Sequence, residues 1–188
     1  MSKRLVLASQ SPRRKEILTF AGLPFEVRVP GVDEVRLPEE SPEVYVQRLA
    51  REKARAVSID ADEIVLAADT TVVFHQHVLE KPRDTADAIR MLSLLQGAEH
   101  QVMTGICLRT QDRELVDLAV TRVWFNPLSQ SDIATYAASG EPNDKAGAYA
   151  IQGLASKFIE RIEGCYFNVV GLPVALVYRR LKQIGYEP

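Results

Sequence analysis

The chain has 188 residues, 46% of them apolar, which suits one domain with a sizeable core, at most divided into two lobes. Its 23 basic and 25 acidic residues leave a net charge of −2, which speaks against a broad nucleic-acid surface but allows a local basic pocket for a small anion. Two widely spaced cysteines, Cys107 and Cys165, exclude a disulfide framework and are expected to be buried small apolar residues.

No secretory pattern follows Lys3-Arg4, and no run of about 18 apolar residues occurs, so a cytoplasmic setting is the expectation. In chain order, Leu5–Ala8 predicts a strand and Ser11–Ala21 a helix, closed by Gly22. Phe25–Val29 predicts a strand. Ser41 caps a helix from Pro42 to about Val57. Glu63–Phe74 is an apolar strand, with a return at Val78–Leu79. Thr85–Leu95 is helical and ends at Gly97. Gln101–Thr110 and Glu114–Phe125 predict a hairpin around Gln111-Asp112-Arg113. Ser129–Ala138 is a helix capped by Ser129 or Ser131. Ser139–Gly153 is a loop with short pieces of structure, Phe158–Ile162 a strand, and Leu172–Ile184 a last helix with Pro173 near its start. Interleaved elements with two hairpins predict an α/β fold around a mixed sheet.

Arg13, Arg14 and Lys15 stand in the first turn of a helix, where the backbone already carries about half a positive charge. Either they splay into water, or they form an anion clamp with the helix N–H groups and the Ser9 and Ser11 hydroxyls. No P-loop sequence occurs. Lys53 falls on the apolar stripe of Val46, Leu49, Ala50, Ala54 and Val57. It either snorkels to the core's edge or reaches into a cleft that holds phosphate.

Asp69 interrupts the apolar run Ile64–Phe74, so it is hydrogen-bonded, paired, metal-bound or protonated. It either caps a turn, or holds a divalent metal, or takes a proton from water. Lys81 follows the return strand and Glu34 lies after the Pro30-Gly31 turn. Gln152 carries an amide able to donate and accept, as reading a base requires. His75 and His77 read as turn decoration rather than a ligand pair, His100 receives no role, and Trp124 is expected in the core.

The set Ser9-x-Ser11-Pro12-Arg13-Arg14, Ala67-Ala68-Asp69-Thr70, Glu80-Lys81-Pro82, Gly140-Glu141-Pro142, Lys145-Ala146-Gly147-Ala148-Tyr149, Ile151-Gln152-Gly153 and Asn168-Val169-Val170-Gly171-Leu172-Pro173 resembles the Maf family. The motifs follow the family's order and span nearly the whole chain. The resemblance implies a nucleoside triphosphate pyrophosphatase that cuts between the α- and β-phosphates with a divalent metal (Mg, Mn or Co). It implies a two-lobed fold with a highly twisted mixed β-sheet flanked by helices and a central active-site cleft, related to inosine-triphosphate pyrophosphatases, often as a homodimer. Ser9, Arg13, Arg14, Lys53, Thr70, Lys81 and Gln152 match the family's substrate-binding positions; Arg13, Thr70 and Gln152 match those tied to substrate choice. Asp69 matches the proton acceptor, and Glu34 with Asp69 the metal side. Thr70 enters through the resemblance alone. The segment Lys145–Gln152 resembles the branch acting on dTTP and UTP, with modified pyrimidine triphosphates as further substrates. The 7-methyl-GTP branch, and a nucleotide-binding regulator of septum formation without turnover, are the alternatives.

Overall fold

The computed structural model describes residues 3–187. Its seven strands are β1 (Arg4–Leu7), β2 (Glu26–Val27), β3 (Glu63–Phe74), β4 (His77–Leu79), β5 (Glu99–Arg109), β6 (Glu114–Phe125) and β7 (Ile159–Glu163). They lie in the order β2-β1-β3-β5-β6-β7, with β4 paired to β3. The sheet is mixed: β1 runs parallel to β2 and β3, whereas β4 is antiparallel to β3 and β7 to β6. The helices are α1 (Pro12–Phe20), α2 (Pro42–Arg55), α3 (Thr85–Leu95), α4 (Gln130–Ala138), α5 (Tyr166–Val170) and α6 (Val174–Gln183).

The caps follow the sequence. Ser11 and Ser41 accept from Arg14 N and Val44 N, and a proline opens each helix behind them. Ser129, rather than Ser131, caps α4 in a reciprocal box with Asp132. Thr110 N donates to Arg113 O at 2.9 Å and closes the β5–β6 hairpin. Residues 139–158 carry three short 3₁₀ turns, Glu141–Asp144, Ala146–Ala148 and Leu154–Phe158.

The chain divides into two compact units. One comprises the described residues of Met1–Thr70, Thr104–Ala119 and Gly171–Pro188; the other comprises Thr71–Met103 and Val120–Val170. In the first unit Ala50 and Ala54 of α2, with Val57 just beyond its end, pack with Val6, Ala8, Val65, Ala67 and Cys107. The side chains of β1 and β3 that meet α2 alternate along each strand, as the two-residue period requires. Gly105 lets β5 approach α2: a Cβ there would fall 2.3 Å from the Val46 carbonyl oxygen. The second unit has its own core, in which α3 and α4 bury Ala88, Leu92, Leu95, Ile133 and Tyr136 with Val72, Val123, Phe125 and Tyr149.

Four local expectations change. β2 keeps two residues, because it pairs with β1 only at Val6 and Leu7. The short helix α5 was not predicted, since five residues carry too little periodicity to register. Trp124 is half-buried, not core: Arg161 and Arg122 stack on it, with guanidinium carbons 3.9 and 4.9 Å from the ring centre. Cys165 is half-exposed, whereas Cys107 is buried as expected. His100 is buried, and its Nε2 lies 2.8 Å from the Tyr149 hydroxyl. Among the described residues no helix is long and apolar enough to cross a membrane.

Candidate active site

Asp69 lies on the β3 face that continues Val65 and Ala67 toward α2. Lys53, in the last turn of α2, is 6% exposed, and its ammonium meets Asp69 Oδ1 at 2.6 Å. The same Nζ lies 2.5 Å from Glu34 Oε1. Two carboxylates therefore share one cation, their oxygens within about 5 Å of each other. The snorkelling reading of Lys53 gives way: its stem lies along the apolar stripe while two of its three ammonium donors have an acid within reach. Burial pushes the Asp69 carboxyl above its ordinary range, against the pull of Lys53 and Arg14.

The other face of β3 carries a neutral hydrogen-bond cluster around one guanidinium. Arg14, third residue of α1, turns inward and is buried. Its Nε donates to the Gly171 carbonyl at 2.9 Å, Nη1 to Ser9 Oγ at 3.2 Å and Nη2 to Thr70 Oγ1 at 3.1 Å. No carboxylate pairs with it among the described residues, and burial lowers its proton affinity. The fields of Asp69 and Glu34 nevertheless reach it. Three of its five N–H groups are committed inside the protein, which leaves two for an anion. Arg13 is half-buried at the same helix end. The cations at the start of α1 therefore divide: Arg14 is folded in, and Lys15 is half-exposed.

Thr104 and the Gly171 carbonyl are members that the sequence reading missed. Thr104 Oγ1 lies 2.9 Å from Thr70 Oγ1, and Thr70 also reaches the Gly171 carbonyl at 3.3 Å. A signal for Thr104 existed: like Asp69, it is one polar residue inside an apolar strand. Gly171 has φ +128°, which only glycine holds without strain, so its motif is structural at that point.

Lys81 and Gln152 belong to the second unit. Lys81 is exposed in the bend after β4, where Glu80 O accepts from Gly147 N at 3.1 Å. Gly147 has φ +69° and sits against Val72. Gln152 is exposed in the turn between the second and third 3₁₀ segments. His75 and His77 are exposed around the β3–β4 turn, where His75 and Gln76 adopt positive φ.

No group of three or more His, Cys, Asp or Glu side chains able to hold a metal ion occurs among the described residues. Glu34 and Asp69 are hard oxygen donors facing one point that already attracts a cation. Such a pair fits a small divalent ion that completes its shell with water and phosphate oxygens rather than with a protein cage.

The family model described as Maf-like protein matches residues 4–184. A relative from Koribacter versatilis (strain Ellin345), named dTTP/UTP pyrophosphatase, is 51% identical over 182 residues, 96% of this chain and 94% of its own. Relatives of the same name from Vibrio cholerae and Salmonella typhimurium are each 53% identical, over 91% and 96% of this chain and 92% and 93% of theirs. Among solved structures, the Staphylococcus aureus Ham1 protein is similar at TM-score 0.52 and 14% identity, covering 97% of this chain and 100% of its own. A HAM1 protein from Coxiella burnetii is similar at TM-score 0.51 and 14% identity, over 96% and 99%. At that identity they speak for the fold alone, a mixed sheet flanked by helices.

Proposed function

Because this chain belongs to the Maf family, we propose that it hydrolyses dTTP and UTP to the nucleoside monophosphate and pyrophosphate. The observation that carries the proposal is the buried Asp69, held by Lys53 and lying in the field of a buried Arg14 that has no carboxylate of its own.

In this reading Asp69 orients a water and accepts its proton. Asp69 Oδ1 is engaged by Lys53, and Oδ2 has no hydrogen bond among the described residues, so Oδ2 is the basic atom. Arg14 offers its two remaining donors, with Arg13, Lys53 and Lys81, to the charge that moves onto departing pyrophosphate. Ser9 and Thr70 hold the Arg14 fork in its plane. Glu34 and Asp69 would hold a divalent cation, which supplies charge neutralisation at the phosphates when bound. Gln152 reads the pyrimidine edge. Its amide can donate to O4 and accept from N3–H of uracil or thymine, a pattern that cytosine inverts. A homodimeric state, a cytoplasmic location and the choice among Mg, Mn and Co belong to the same proposal.

The test is pyrophosphate release from a nucleotide panel with each metal, for the native chain and for Asp69→Asn. Turnover of dTTP and UTP that the variant loses while staying folded supports the reading. Tight nucleotide binding without pyrophosphate would mean a regulator, and preference for 7-methyl-GTP would mean the other branch; either overturns it.

A further inference from the structure

Gln152 occupies the third position of a tight turn closed by Gly153 N donating to Ala150 O at 3.1 Å. One internal hydrogen bond does not fix the direction of an exposed side chain at a turn. Both flanks of this turn, however, are tied to one pair of side chains. Ala150 N donates to the Tyr136 hydroxyl at 3.2 Å, and that hydroxyl donates to Glu141 Oε1 at 2.8 Å. Glu141 Oε2 accepts from Leu154 N at 3.0 Å. Ala150 and Leu154 stand two residues either side of Gln152, so the clamp straddles it.

The clamp is anchored. Tyr136 is 3% exposed on α4, in the core of its unit, with its ring packed edge-on to Phe158 at 5.4 Å. Glu141 is held by its own backbone: its N–H donates to Ser139 Oγ and its carbonyl accepts from Lys145 Nζ. Gly153 makes room for the same carboxylate. Its φ of −108° is open to any residue, yet a Cβ there would fall 2.2 Å from Glu141 Oε2. A side chain at this point would have to displace the Glu141 carboxylate from the contacts it makes with Tyr136 and Leu154 N.

We propose that Glu141, together with Tyr136, is a positioning residue that aims Gln152 at the base and so sets the preference for uracil and thymine. This rests on the reading of Gln152 as the base-reading residue. Glu141 acts through the turn: its two oxygens lock the entry and the exit, and Gln152 loses its direction when either lock opens. Glu141→Gln keeps one accepting oxygen and loses the other, because an amide nitrogen cannot accept. Glu141→Ala loses both, and Tyr136→Phe frees Ala150 N.

The experiment measures kcat and KM for dTTP and dCTP in the native chain, in Glu141→Ala, Glu141→Gln, Tyr136→Phe and Gln152→Ala, and in the Glu141→Ala/Gln152→Ala double variant. The expected result is a fall of about tenfold in the dTTP-over-dCTP preference for Glu141→Ala and Tyr136→Phe, the cost of one misdirected hydrogen bond. The change is carried by KM for dTTP more than by kcat. The double variant has the preference of Gln152→Ala alone, because residues that act through one another do not add. Glu141→Gln and Tyr136→Phe keep the test alive if Glu141→Ala does not fold. If Gln152→Ala lowers the preference while the folded Glu141 and Tyr136 variants keep it, or if the double variant shows the two effects in full, the positioning role is wrong. If Gln152→Ala itself leaves the preference intact, the base-reading assignment falls and this inference falls with it.

Discussion

Lys53 Nζ sits 2.6 Å from Asp69 Oδ1, with both side chains less than a tenth exposed. The pair joins the last turn of α2 to the middle of β3, and Glu34 reaches the same ammonium from a loop. Replacing Lys53 by Met strands a buried carboxylate. The expected cost is about 3 kcal/mol, the low end for a broken buried pair, because Asp69 can take up a proton instead. Urea melts of Lys53→Met and Lys53→Met/Asp69→Asn check it: the second substitution should recover most of the loss. Equal midpoints for the two variants would show that the pair carries no such charge burden.

Arg14 spends Nε, Nη1 and Nη2 on three acceptors that lie in different directions. A lysine ammonium concentrates its donors at one point and cannot reach all three. Arg14→Lys should lower kcat/KM for dTTP about 100-fold, the scale of losing a fixed donor to developing charge. Activity within threefold of the native chain would remove the fork geometry from the reaction.

His100 offers a pH signature away from the proposed chemistry. Burial pushes its imidazole from 6.5 down to about 3, so the folded chain keeps it neutral while the unfolded chain protonates it below about pH 6.5. Between those values the unfolded state binds more protons, and stability falls as the pH falls. His100→Gln keeps a polar partner for the Tyr149 hydroxyl but does not titrate. Between pH 7 and pH 5 the native chain should lose about 2 kcal/mol more than this variant does. Denaturant midpoints at the two pH values measure the difference, and parallel losses would refute it.

Gly105 faces backbone, not a yielding side chain. Its missing Cβ would meet Val46 O at 2.3 Å and Gln47 N at 2.7 Å. Gly105→Ala must push α2 away from the sheet, at about 1–3 kcal/mol. Since α2 also carries Lys53, activity should fall further than the shift in melting temperature alone explains. A variant with a normal melt and normal turnover would mean that α2 has slack at this contact.

Much of the fold was legible because periodicity and caps are local. Glu63–Phe74 and Thr85–Leu95 came out at their predicted bounds, since an unbroken apolar run and a capped helical stripe each carry their own signal. β2 and α5 did not, because two and five residues are too few to show a period. Trp124 was misjudged for a related reason: an aromatic residue in an alternating strand reads as core unless the arginines that cover it are known to be adjacent.

The proposed site was legible in its chemistry and opaque in its pairing. A lysine on an apolar stripe and an aspartate inside an apolar strand each signal a cost that something must offset. The sequence alone therefore determined that Lys53 and Asp69 are special, and which helix and strand carry them. That they offset each other, with Glu34 as third member, follows only from the packing of α2 on β3. Likewise Arg14 was marked as a cation at a helix start, but its partners at positions 9, 70 and 171 are brought together by the sheet and the turn before α6. Residue type and local period are written along the chain. Which charge meets which acceptor depends, apart from the local Arg14–Ser9 contact, on pairs 16 to 157 positions apart, and those exist only once the sheet has formed.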